Sequence, residues 1–167
     1  MGGKITVTQA GVEDCKLIHE LALRVFPHTY RCILTEGQIE YMMEWMYAPE
    51  NIRRQMQDGH VYYIAYDAVG PVGYVSVRPD GRDLFHLEKI YVLPEYQHAH
   101  CGSVLFRTVL AYVKEVHPSP CALELNVNRD NPALGFYRKM GMHVDREGDF
   151  PIGNGFYMND YIMRMDL

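Results

Sequence analysis

Residues 84–127 read strand, helix, strand, and that order constrains the fold more than any other feature of the chain. Leu84–Val92 is a β-rich run stopped at Pro94. Gly102 leads into Val104, Leu105, Val109, Leu110, Val113 and Val116, an apolar stripe at helical spacing that Pro118 and Pro120 break. Residues 122–127 are β-rich again. A helical crossover returns the chain to the same end of a sheet, so the two strands it joins pair in parallel. Just before them, Val61–Tyr66 and residues 72–77 flank a turn at 67–71 and read as an antiparallel hairpin. The pattern predicts a mixed α/β fold. Its sheet is twisted, mostly antiparallel and six- to seven-stranded, and helices flank it.

The rest of the chain fits around this centre. Ile5 and Val7 alternate with polar residues as a short strand. Leu17, Ile18, Leu21 and Val25 follow Asp14 at helical spacing, and the helix is predicted to stop near Pro27. Thr35 and Gln38 have capping-box spacing and open a second helix carrying Ile39, Met42, Met43 and Met46. Pro49 starts a third helix through Gln57. A late helix covers 132–140 with Gly141 as terminator, and strands at 142–147 and 156–165 close a single domain over 1–167.

Charge and composition narrow the function classes. The net charge is −5 and no basic stripe is visible, which excludes a general nucleic-acid binder. No apolar run approaches the roughly 20 residues that span a bilayer. Cys15, Cys32, Cys101 and Cys121 form no CxxC pair, which points to thiols in a reducing compartment, the cytoplasm. His98, His100 and Cys101 are close in sequence but lack an evident fourth ligand, so no metal is predicted. Cys101 falls at a helix start, where a thiol pKa can be lowered.

The chemistry concentrates in the loop from Tyr91 to Ser103. Here a strand ends and a helix begins, and a helix N-terminus offers unpaired amides and a positive dipole end to an anion such as a phosphate. Gly102 would let backbone approach a ligand closely. Gln97 and Gly102, after Tyr91-Val92-Leu93-Pro94-Glu95-Tyr96, resemble the signature of the GNAT superfamily of acyl-CoA-dependent N-acetyltransferases. His100 stands where that family usually has its first Gly, and a His in the left-handed region costs little. Asn126 to Met142, with its Asn before Ala133-Leu134, the pair Phe136-Tyr137 and the closing Gly141, is similar to the family's second fingerprint. Ile152 to Tyr161 resembles the branch containing polyamine and other small-amine acetyltransferases.

The resemblance implies a GNAT fold, acetyl-CoA as cosubstrate and an amine as acetyl acceptor, attacked directly. It implies that Tyr137 protonates the departing thiolate and that Val92 N–H stabilises the oxyanion. Backbone at Ile90, Tyr91 and Val92 would bond the pantetheine arm. Gln97, His98, Ala99, His100, Cys101, Gly102 and Ser103 would hold the diphosphate, with Asn128, Asn131, Tyr137 and Lys139 on the opposite wall. Glu88 is the candidate base: strand alternation puts it with Ile90 and Val92, where burial would raise its pKa. Tyr30, Tyr41 and Trp45 are candidates for the acceptor pocket. Glu36, Glu40 and Glu44 recur on one helix face and read as a solvated surface. A homodimer through the terminal strands is a further expectation by analogy. Two rival readings remain at this point, a CoA-binding regulatory module without turnover and a metal-dependent protein using His98 and His100.

Overall fold

The computed structural model describes residues 4–97 and 100–167. Seven strands form one sheet: β1 (Thr6–Gln9), β2 (Val61–Tyr66), β3 (Pro71–Gly81), β4 (Leu84–Val92), β5 (Ala122–Asn128), β6 (His143–Gly153) and β7 (Phe156–Asp166). Their order is β1-β2-β3-β4-β5-β7-β6. Every neighbouring pair is antiparallel except β4 and β5, which are parallel as the crossover requires. Among the described residues five α-helices accompany the sheet: α1 (Cys15–Tyr30), α2 (Glu36–Tyr47), α3 (Pro49–Gln57), α4 (Cys101–Val116) and α5 (Leu134–Lys139).

The two faces carry separate cores. On one, α4 sets Leu105, Phe106, Val109 and Val113 against Val75, Val77, Leu87, Leu123, Leu125 and Met163. On the other, Ile18, Val25 and Phe26 of α1, Met42 and Tyr47 of α2 and Ile52 of α3 cover Tyr62, Ile64 and Tyr74. Each fully buried aliphatic or aromatic side chain is worth about 1.5–3 kcal/mol, so the α4 stripe, with four such residues, holds the crossover firmly onto the sheet.

Several boundaries depart from the sequence expectation. α1 runs through Pro27 to Tyr30, and Arg31 N–H still bonds Pro27 C=O at 2.9 Å. Proline loses its own donor and crowds the carbonyl of Leu23, and burial of Val25 and Phe26 holds the last turn in place against that cost. Thr35 Oγ1 accepts Gln38 N–H as expected, but Gln38 donates to Tyr157 C=O at 2.8 Å instead of closing the box. That bond ties α2 to β7. The late helix is limited to Leu134–Lys139, and β6 extends to Gly153, with Gly153, Asn154 and Gly155 all at positive φ in the β6–β7 turn.

Candidate active site

β4 and β5 pair only at Leu84–Ala122, Phe85–Leu123 and His86–Glu124. Beyond that they part. A bulge contributes to the divergence: Leu87 faces Val77 and Lys89 faces Ser76, so Glu88 is the extra residue. The gap opens a cleft of about 900 Å³. Its walls are 87–92 of β4, 125–127 of β5, the start of α4, the turn into α5 and the end of α1.

The cleft passes through the sheet. Ile90, Val92, Leu125 and Val127 belong to the core under α4. Tyr91 belongs to the core under α1. Alternation along β5 turns Asn126 to that same α1 face. Gly102, Ser103, Phe136 and Tyr137 line the opening from the α4 side, and Val25, Tyr30 and Asn126 from the α1 side. A ligand held at the start of α4 can therefore meet one arriving past α1.

The strand edge facing the gap has free bonding capacity. Leu93 donates its N–H to Val72 C=O of β3 at 2.8 Å, and Gly73 and Val92 are direct partners. In an antiparallel ladder the residue next to a bonded one turns its polar groups outward, so Val92 N–H and C=O face the cleft. Gln97 Nε2 donates to Val92 C=O from that side at 3.3 Å. Gly73 was not singled out from sequence, yet a Cβ there would stand 2.5 Å from Tyr91 C=O, so only glycine fits this crossing.

At the start of α4, His100 has φ 59° and ψ 15°, the left-handed conformation anticipated for it. The first intrahelical bond runs from Val104 N–H to His100 C=O at 3.2 Å. The amides of Gly102 and Ser103 precede it and belong to the exposed first turn. Ser103 Oγ donates to His100 C=O at 2.9 Å. Gly102 has a reason beyond ligand approach: its absent Cβ would lie 3.3 Å from the Phe136 ring. Burial raises the Cys101 thiol pKa, the reverse of the activation a helix N-terminus suggested. His98 and Ala99 lie outside the described residues.

Tyr137 is 7% exposed and lines the cleft, and burial pushes its phenol well above the ordinary tyrosine range. Tyr30 reaches the same region, where its hydroxyl accepts from Asn131 Nδ2 at 3.1 Å. Asn131 Oδ1 accepts Ala133 N–H at 2.9 Å. Asn131 and Lys139 line the cleft, but Asn128 does not: its Oδ1 accepts Asp130 N–H in a tight turn.

Two expectations are corrected. Glu88 lines the cleft but does not share a face with Ile90 and Val92, because the bulge resets the alternation. Its Oε1 accepts from Arg78 Nε, and Arg78 also pairs with Asp80. Tyr41 and Trp45 stand away from the cleft. Tyr41 donates to Ile152 C=O at 2.8 Å and packs on Phe156 and Trp45, fixing the β6–β7 turn against α2. Glu36, Glu40 and Glu44 line a separate groove of about 780 Å³ between α1 and α2, with Leu23, Ile39 and Met43. His28, Thr29, Asn126 and Phe136 line the cleft without having been singled out as site residues. For Asn126 the signal was legible: a polar residue between Leu125 and Val127 points to the other face of its strand.

Residues 34–164 match the family described as the acetyltransferase (GNAT) domain. The chain belongs to the GNAT family. Uncharacterized N-acetyltransferases of Mycobacterium bovis and Mycobacterium tuberculosis are 34% identical to it over 98 residues, 58% of this chain and 60% of theirs. The GNAT chain thus spans about 60% of the length of those curated relatives. The fold is similar to that of the PaiA N-acetyltransferase of Thermoplasma acidophilum in complex with coenzyme A. That structure has a TM-score of 0.82 and 22% identity, over 98% of this chain and 99% of that one. A GCN5-related N-acetyltransferase of Rhodopseudomonas palustris also gives a TM-score of 0.82, at 19% identity over 100% and 98%. No described helix of this GNAT protein is long and apolar enough to cross a membrane.

Proposed function

We propose that the protein transfers acetyl from acetyl-CoA to the primary amine of a small polyamine-like molecule or a peptide. The observation that carries this reading is the cleft through the sheet, which joins a helix N-terminus on one face to a polar pocket on the other. The residues present suit coenzyme A. First-turn amides of α4 can take its diphosphate, and the outward C=O of Val92 can accept from its amide-bearing arm. The thioester supplies an activated acetyl group when bound.

The chain's own groups account for the remaining needs. Val92 N–H would donate to the carbonyl oxygen as negative charge builds on it, and a fixed main-chain donor needs no reorganisation. Tyr137 is kept protonated by burial and lines the cleft, so it would give its proton to the departing sulfur. Among the described residues lining the cleft, Glu88 is the sole carboxylate, and it takes the proton of the attacking amine, directly or through water. His100 takes a left-handed conformation that glycine adopts freely, so a His in place of the usual Gly does not of itself demand a different loop shape.

Release of CoA from acetyl-CoA across a panel of amines tests the activity itself. Tyr137→Phe is expected to lower kcat at least tenfold, a loss on the order of general-acid effects, with little change in acetyl-CoA affinity. Full activity in that variant would remove Tyr137 from the mechanism.

A further inference from the structure

Resting on the acetyl-transfer reading, we propose that Asn126 and Asp160 form a cation subsite that receives the acceptor as an ammonium ion and so selects charged amines over neutral ones. Asp160 lies on β7 opposite Asn128 and is 1% exposed. Its Oδ2 accepts from Asn126 Nδ2 at 3.3 Å. Its Oδ1 is buried with no hydrogen-bond partner among the described residues. An unpartnered buried carboxylate oxygen is costly, and such a cost persists in a fold when the group serves something else.

The geometry names what it serves. A carboxylate can only accept, so it fixes which end of the Asn126 amide turns toward it. The Nδ2 end faces Asp160, and Oδ1 is the end left for a ligand in the cleft, which Asn126 lines. An incoming group then meets an amide oxygen backed by a buried negative charge. That combination favours N–H donors carrying positive charge and disfavours a neutral hydroxyl. The pair lies on the α1 face, opposite the start of α4, so the ammonium does not compete with the diphosphate.

The groups around Asp160 are few. Arg129 is the cation that acts on it: Nη2 donates to Asp149 and to Gly148 C=O on β6, and Nε is buried with no hydrogen-bond partner among the described residues. Tyr30 contributes a neutral hydroxyl from α1, and the β6 residue paired with Asp160 is Gly148. Burial raises the Asp160 carboxyl above its ordinary range, and the Asn126 bond and the Arg129 charge oppose that rise. The subsite therefore weakens in acid as this carboxylate takes up a proton.

Calorimetry with putrescine and with the diol of the same length, on the protein with and without CoA, tests the subsite without requiring turnover. The wild type is expected to bind the diamine at least about tenfold more tightly than the diol, as a charge-assisted contact allows. Asp160→Asn closes that gap and leaves CoA affinity unchanged. The exchange variant Asp160→Asn/Asn126→Asp, which returns the charge to the pair, restores it. Equal binding of diamine and diol by the wild type, or an unchanged preference in Asp160→Asn, would overturn the proposal. If the single variant does not fold, the exchange variant decides: a kept preference supports the subsite and a lost one refutes it. Diamine selectivity without CoA release would count against the acetyl-transfer reading alone.

Discussion

Lys89 makes an experiment in which stability and pH are tied to one atom. Its side chain enters the core under α1–α3 and is 3% exposed. Nζ donates to Tyr62 Oη at 2.6 Å, Gln55 Oε1 at 2.9 Å and Met46 C=O at 3.3 Å, and lies over the rings of Tyr47 and Tyr62. These contacts do not replace full hydration, and burial lowers its pKa from 10.5 to about 7, with Glu88 opposing the drop. A lysine whose folded pKa is depressed costs stability below that pKa, and the cost is relieved as pH rises toward the unfolded value. Integrating proton uptake from pH 7 to 9 gives a gain of about 2 kcal/mol, or about 4–8 °C in Tm for a chain of this size. The window stops at 9 because buried Cys15 and Cys101 have raised pKa values and pull the other way above it.

Lys89→Met should abolish that rise without orphaning the lysine's acceptors. Gln55 Nε2 still donates to Met46 C=O at 3.2 Å, and Tyr62 Oη still donates to Gln55 Oε1 at 2.5 Å. The variant is expected to match or exceed wild-type stability at pH 7, since well-packed apolar replacements of buried ions are often neutral or stabilising. Urea unfolding of both proteins at pH 7 and 9 under reducing conditions provides the measurement. Parallel behaviour, with the wild type gaining no more than the variant, would refute the reasoning.

Gly102→Ala sets a methyl 3.3 Å from the Phe136 ring, an overpacking that costs about 1–3 kcal/mol if the ring cannot give way. Because the ring lines the cleft, CoA titration should show weakened binding in a protein that still unfolds cooperatively. Unchanged affinity would mean that Phe136 moves freely. Glu124 is 4% exposed and accepts two bonds from Arg146 and one from Arg164, which hold its carboxyl below the ordinary 4.5. Its stabilising effect is present above pH 4.5 and is lost as pH falls through the lowered folded value. Glu124→Gln should cost about 1.5–3 kcal/mol at pH 7 and flatten the acid limb of a Tm–pH profile. A limb of the same steepness would assign acid sensitivity to other carboxylates.

What the sequence determined by itself was local or periodic. Leu84–Val92 could be bounded because β-rich composition ends at a proline, and α4 because its apolar stripe repeats every three to four residues. The parallel pairing followed from connectivity, and the turn into α4 from the meeting of a strand end with a helix start. Tertiary structure decided everything that depends on register between distant strands. The bulge at Glu88 exists because β3 and β4 pack their apolar residues on both sides of it, and no property of Glu88 announces it. It sent Glu88 to Arg78 and Lys89 into the opposite core, where simple alternation had placed Glu88 beside Ile90. Likewise Asn126 and Asp160 are 34 positions apart and meet only through the β5–β7 register. Tyr41 and Trp45 carry the residue types of a binding pocket, but the β6–β7 turn claimed them. Composition specifies which groups can bind, and long-range packing chooses which of them face the cleft.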